Sequence, residues 1–112
     1  MQEIKVLEIK LTQLQENILI ELSKTVNNPF ICKKLGIKPI TLTKAIQTLT
    51  EKDFIENNAV TEKGKKMVHY LEFRNETISL FLKKHNITET LEITNQLSNL
   101  DFKIIIVLRN LL

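Results

Sequence analysis

Phe30-Ile31-Cys32-Lys33-Lys34-Leu35-Gly36-Ile37-Lys38-Pro39-Ile40-Thr41-Leu42-Thr43-Lys44-Ala45-Ile46-Gln47-Thr48-Leu49 is the stretch on which the fold depends. Asn27-Asn28-Pro29 just before it stops one helix and starts another, because proline suits a first helical turn. A helix of about two turns is expected from Pro29 to Leu35, closing at Gly36. Ile37-Lys38-Pro39 then turns the chain, and Pro39 opens a further helix from about Ile40 to Lys52. Leu42, Ala45, Ile46 and Leu49 recur at helical spacing and form its buried stripe. Its opposite face is Thr41, Thr43, Lys44, Gln47 and Thr48, short and polar with a single charge. An ordinary solvent-facing helix is richer in Glu and Lys, since threonine is a mediocre helix former. Thr, Gln and Lys are residue types that hydrogen-bond base edges and phosphates.

Upstream, Thr12 and Gln15 make a capping box that starts a helix at about residues 11–13, with Leu14, Ile18 and Leu22 on one face. Ile4, Leu7, Leu11 and Leu14 extend an apolar stripe towards the N-terminus, as a separate short helix or as part of the first. Downstream, Phe54-Ile55-Glu56 and Ala59-Val60-Thr61 flank Asn57-Asn58, the pattern of a small β-hairpin on a two-residue turn. Thr61-Glu62-Lys63-Gly64 leads into a long helix from Lys65 to about Lys84, with apolar Met67, Val68, Leu71, Ile78, Leu80, Phe81 and Leu82. Thr88 and Ser98 are the expected N-caps of two more helices, Ser98 having Asp101 three residues on. The last of these, ending at Leu112, is apolar nearly all round, and such a surface is not left in water.

The bulk properties bound the function. With 112 residues, 43% hydrophobic and 26% charged, the chain fits one domain able to bury a real core. Two glycines and two prolines leave few forced turns, which favours helices joined by short loops. The net charge is +3, and the basic excess is concentrated: residues 29–74 carry +4 and the remainder −1. One cysteine excludes an internal disulfide framework and fits a reducing, cytoplasmic compartment. Ile104-Ile105-Ile106-Val107-Leu108 is the longest apolar run, too short for a membrane span. Met1-Gln2-Glu3-Ile4-Lys5 mixes charge signs and leads into no cleavable apolar core, so no signal peptide is expected.

A short helix, a glycine-containing turn, a polar-faced helix and a hairpin follow one another in the order of a winged helix-turn-helix. Residues 30–49 resemble the L-A-x-x-L-G-I-S-P-S-T-V-T-R-x-I-x-x-L core of bacterial and archaeal winged-helix regulators. Glu51-Lys52-Asp53-Phe54-Ile55-Glu56 is similar to their E-K-D-G-L-I-E, and Val60-Thr61-Glu62-Lys63-Gly64-Lys65 to their L-T-E-K-G-K. The resemblance covers about residues 12–82. Leu11-Thr12-Gln13-Leu14-Gln15 with Ile18-Leu19, and Leu97-Ser98-Asn99-Leu100-Asp101, resemble the MarR family, whose terminal helices form a dimer. The short turn, Asn57-Asn58, and Arg74-Asn75-Glu76-Thr77-Ile78-Ser79-Leu80-Phe81-Leu82 are more similar to the metal-dependent repressors of the diphtheria-toxin-repressor type. Those carry a histidine ligand where this chain has Asn75, and the C-terminal region holds no Glu-His cluster, so the metal site is expected to be missing.

The resemblance implies a mainly α fold with a small β-hairpin wing and N- and C-terminal dimerisation helices, as one winged-helix domain over residues 1–112. Within it, 1–26 supply the first helix, 29–64 the helix-turn-helix and wing, and 65–112 the long helix and terminal helices. The function implied is a sequence-specific, double-stranded DNA-binding transcriptional regulator, with a repressor as the expected sign. The helix at about 40–50 then enters the major groove. DNA contact falls on Lys38, Ile40, Thr41, Thr43, Lys44, Gln47, Thr48, Asn57, Asn58 and Lys63, with Lys33, Lys34, Lys65 and Lys66 as further phosphate candidates. Ile40, where relatives carry serine, either touches a thymine methyl or packs inward. Leu7, Leu11, Leu100, Ile104, Val107, Leu108 and Leu111 are either core or a homodimer seam, and the all-round apolar last helix favours the seam. MarR relatives often bind small aromatic ligands, so a small-molecule effector is a further implied partner.

Other readings have less behind them. Cys32 is read as a core thiol rather than a redox sensor, and His85 as a helix C-terminal dipole partner. His69, Glu72 and Glu76 share a helical spacing, but that pattern is common and further ligands are missing. No Gly-rich phosphate loop, nucleophile elbow or Cys/His pair supports an enzyme, and no cofactor is expected. The alternative from another class is a winged-helix protein-interaction module without specific DNA binding.

Overall fold

The computed structural model describes residues 10–112, and among these Thr12 opens the first helix. Its hydroxyl accepts from the Gln15 amide at 3.1 Å, and the Gln15 side chain accepts from the Thr12 amide at 3.0 Å. Both halves of the capping box are thus in place, and α1 runs over Gln13–Lys24. Asn27 caps α2 (Asn28–Leu35) by accepting from the Phe30 amide at 3.1 Å, with Pro29 in the first turn. Gly36 then takes φ +65°, the left-handed conformation that ends a helix without a Cβ penalty. Pro39 begins α3 (Pro39–Glu51).

Strands β1 (Ile55–Glu56) and β2 (Ala59–Val60) pair antiparallel, Ile55 opposite Val60 and Glu56 opposite Ala59. Asn57 and Asn58 both have positive φ, at 52° and 62°. That is the requirement of a type I′ hairpin turn, and asparagine tolerates it. The long helix α4 spans Glu62–Lys84, starting three residues earlier than the glycine in its first turn suggests. Gly64 is there because a Cβ would overlap the Phe54 carbonyl oxygen and lie 2.7 Å from Val60 Cγ1. The Gly64 amide donates to the Thr61 hydroxyl at 3.0 Å, which caps this end. Helices α5 (Leu91–Ser98) and α6 (Phe102–Leu111) complete the order. The architecture is mainly helical with one small two-stranded hairpin.

The caps of the last two helices differ from expectation. Thr90, not Thr88, caps α5, accepting from the Ile93 amide at 3.2 Å. Ser98 is the last residue of α5 rather than an N-cap, and its hydroxyl donates back to the Thr94 carbonyl at 2.6 Å. Asp101 caps α6 through the Lys103 amide at 2.8 Å. In both cases the capping residue is the one next to the apolar run, where the first unpaired amides are exposed.

The chain divides into two compact units, one up to His69 and one over Tyr70–Leu112. In the first, α1 packs on α2, α3 and β2, and α3 packs on α2 and β1. Ile18, Leu19, Ile31, Leu42, Leu49 and Phe54 are buried there. Burying each such side chain contributes about 1.5–3 kcal/mol, so these positions rather than the caps hold the unit together. Glu21 is buried too, its carboxylate held by Lys34 Nζ at 2.9 Å. Cys32 is half-buried rather than fully enclosed.

In the second unit Ile78, Leu82 and Ile105 form the core, with Phe73, Phe81, Ile93, Leu97, Leu100 and Leu108 packed against it. Arg109 fastens α6 to α4. Its guanidinium donates to Glu76 at 3.1 Å and to the buried Thr77 hydroxyl at 3.3 Å, over the Phe73 ring. His85 lies against the Phe81 ring near the end of α4, with centroids 4.8 Å apart. Among the described residues no helix is long and apolar enough to cross a membrane.

Candidate nucleic-acid interface

Successive residues of α3 are rotated by about 100°, so Ile40, Thr43, Lys44 and Gln47 fall on one side of it. All four are exposed, whereas Leu42, Ala45 and Leu49 are buried on the other side. Thr41 and Thr48 lie together along one edge of this stripe and are half-buried. Thr50 continues the stripe at the other edge, exposed and three residues beyond Gln47. The i+3 spacing was the available signal for it. Ile46 is half-buried rather than fully enclosed. Ile40 is 61% exposed, so of the two sequence expectations for it the inward-packed one is overturned. It stands in the first turn of α3, outside the core.

Three threonines of this face, Thr43, Thr48 and Thr50, share a hydrogen-bonding habit. The Thr43 hydroxyl donates to the Pro39 carbonyl at 3.0 Å, Thr48 to Lys44 at 3.2 Å and Thr50 to Ile46 at 2.7 Å. Each returns its proton to the preceding turn, which is how threonine competes with the helix ladder. What each still offers outward is an oxygen lone pair.

The cations are distributed unevenly. Lys33, Lys38 and Lys44 are exposed on α2, on the turn and on α3, and Glu51 is the only acidic residue between positions 28 and 51. Lys34 is turned to Glu21. Lys65 pairs with Glu62 at 3.3 Å. The Lys63 ammonium is engaged: it donates to the Lys52 carbonyl at 3.0 Å and lies 5.2 Å from the Phe54 ring centre. Asn57 and Asn58 are exposed at the hairpin tip. Asn58 also lines an open cavity of about 250 Å³ with Leu22, Val26, Asn28, Ile46 and Ile55. The structure thus gathers Ile40, Thr41, Thr43, Lys44, Gln47 and Thr48 on one helix, and leaves Lys63 engaged with main chain and ring.

Of the expected seam residues, Leu100 and Leu108 are packed on the core of the second unit. Ile104, Val107 and Leu111 are exposed on α6, Leu111 at 71%. Leu11 is half-buried, and Leu7 lies outside the described residues. The apolar surface of α6 is therefore divided: a side centred on the fully buried Ile105 serves the chain's own core, and a stripe at 104, 107 and 111 does not. Among the described residues no three His, Cys, Asp or Glu side chains gather as a metal-binding group.

No family model, curated protein or solved structure matches the chain.

Proposed function

We propose that this chain is a MarR-like winged-helix transcriptional regulator that binds double-stranded DNA in a sequence-specific manner, in the cytoplasm, as a homodimer and with a repressing action. The observation that carries the reading is the outer stripe of α3, where Ile40, Thr43, Lys44 and Gln47 are exposed with no acid among them before Glu51 at the helix end, and where Lys38 precedes the helix. A helix with short polar side chains enters a major groove without steric conflict, and the lysines neutralise phosphates. The tight hairpin after α3 is the wing in this reading. The exposed stripe Ile104, Val107 and Leu111 is its dimer seam. A two-fold dimer sets two copies of α3 about one DNA turn apart, roughly 34 Å, on a pseudo-palindrome.

The test is fluorescence anisotropy with a mixed-sequence duplex over a salt series, beside light scattering for mass. The expected result is affinity that falls steeply with salt, from a particle of dimer mass, and a loss of affinity in Thr43→Ala/Lys44→Ala with the fold unchanged. Unchanged affinity in that double variant removes α3 as the reading helix. Absence of binding at low salt favours the second reading, a protein-interaction module. That reading is supported by the uncharged hairpin tip and the exposed apolar stripe of α6.

A further inference from the structure

The outer stripe of α3 has a composition that a merely cationic surface would not need. Ile40 stands on its midline, one turn from Lys44 and two from Gln47, and 61% of it is exposed. Beside it, the Thr43, Thr48 and Thr50 hydroxyls have given their protons to the helix backbone. In that arrangement each turns an acceptor oxygen to a partner. No arginine occurs between residues 28 and 51, so the planar fork that reads both guanine acceptors is missing, and Lys44 is the sole charged donor on the stripe.

Base pairs differ in what they show to such a face. Thymine alone presents a C5-methyl group in the major groove, the one base feature that an exposed aliphatic side chain can cover. Acceptor oxygens suit the amino groups of adenine and cytosine. A glutamine amide matches the amino and N7 positions of adenine together.

We propose that α3 selects A·T base pairs, with Ile40 packed on a thymine C5-methyl group and Gln47 paired with an adenine. This rests on the DNA-binding reading above and specifies it. The choice of duplex DNA as occupant follows from charge: Lys44 lies on the stripe, Lys38 precedes its helix and Lys33 is exposed on α2, against a single acid of the α2–turn–α3 segment, Glu51, at the far end of the helix. A polyanion bearing methyl groups and amino groups satisfies Ile40, Lys44 and Gln47 at once.

The experiment is enrichment of bound duplexes from a randomised double-stranded library, followed by anisotropy on the enriched duplex. Its thymines are replaced one at a time by deoxyuridine, which removes only the methyl group, and each duplex is measured with the wild type and with Ile40→Ala. Ile40 is exposed, and alanine is the better helix former, so this variant keeps its fold. One thymine in each half-site is expected to matter. Its replacement weakens wild-type binding about fourfold, the worth of one buried methyl, and leaves Ile40→Ala indifferent. Enrichment of duplexes in which no such exchange alters wild-type affinity, or alters both proteins equally, overturns the proposal and leaves DNA binding standing. Absence of both enrichment and salt-dependent binding overturns the DNA-binding reading and this proposal with it.

Discussion

Lys34 Nζ reaches the Glu21 carboxylate at 2.9 Å, tying the second helix to a charged side chain that the first helix buries. The Lys34 side chain is 48% exposed and that of Glu21 is 9%, so the acid depends on the pair more than the base does. Lys34→Ala strands a carboxylate away from water and is expected to lose about 1–2 kcal/mol, below the cost of a fully enclosed pair because solvent reaches the lysine side. Replacing both residues, Glu21→Leu with Lys34→Ala, should recover most of that loss. Urea unfolding of the single and double variants measures it, and equal stabilities throughout would deny the bridge any role.

Gly64→Ala reverses the usual sign of a helical glycine substitution. Alanine gains up to about 1 kcal/mol in propensity. Here its methyl would run into the Phe54 carbonyl and Val60 Cγ1, so the hairpin or the first turn of α4 must shift. A net loss of about 2 kcal/mol or more is expected, of the size that overpacking produces. Denaturant midpoints for Gly64→Ala and Gly64→Ser should fall together.

Two lysines test the geometry of the α3 stripe against mere charge. Lys44→Ala is expected to lower the slope of log affinity against log salt by about one, the signature of one phosphate contact. Lys63→Ala should leave that slope unchanged and cost about 1 kcal/mol of stability, because its ammonium is spent on the Lys52 carbonyl and the Phe54 ring. Equal slopes lost in both variants would mean that overall charge, not the stripe, governs binding.

On α6 neighbouring residues should behave in opposite ways. Val107→Asp and Leu111→Asp replace exposed side chains and are expected to halve the particle mass by light scattering with helicity retained. Ile105→Asp places a carboxylate in the core beside Ile78 and Leu82 and should unfold the second unit. Dimer mass in the first two variants would remove this stripe as the seam.

Local signals carried much of the fold. Thr12 with Gln15, Asn27 with Pro29, Gly36, and Asn57-Asn58 each solve a backbone problem within a few residues, and each is where the sequence suggests. What escaped was decided by contacts distant in sequence. Gly64 reads as a breaker until the Phe54 carbonyl beside it is known. The contacts of Lys63 with the Lys52 carbonyl and the Phe54 ring join residues well apart in sequence and leave no local signal. The caps at Thr90 and Asp101 escaped for another reason: several Ser, Thr and Asp residues stand near each start, and position relative to the apolar run decides among them. The α3 stripe was legible from periodicity, and the exposure of Ile40 was not, because position 40 permits either orientation at the entry to a helix.

The back-donated threonine protons on α3 have a kinetic side. A β-branched side chain whose hydroxyl is tethered one turn back has a restricted χ1 before any partner arrives. Freezing a mobile side chain on association costs about 0.5–1.5 kcal/mol each, and Thr43, Thr48 and Thr50 have that freedom curtailed within the folded chain. Among the stripe's polar residues, Lys44 and Gln47 keep long, rotatable stems. The face is therefore a largely rigid template bearing two adjustable arms, whichever partner it meets.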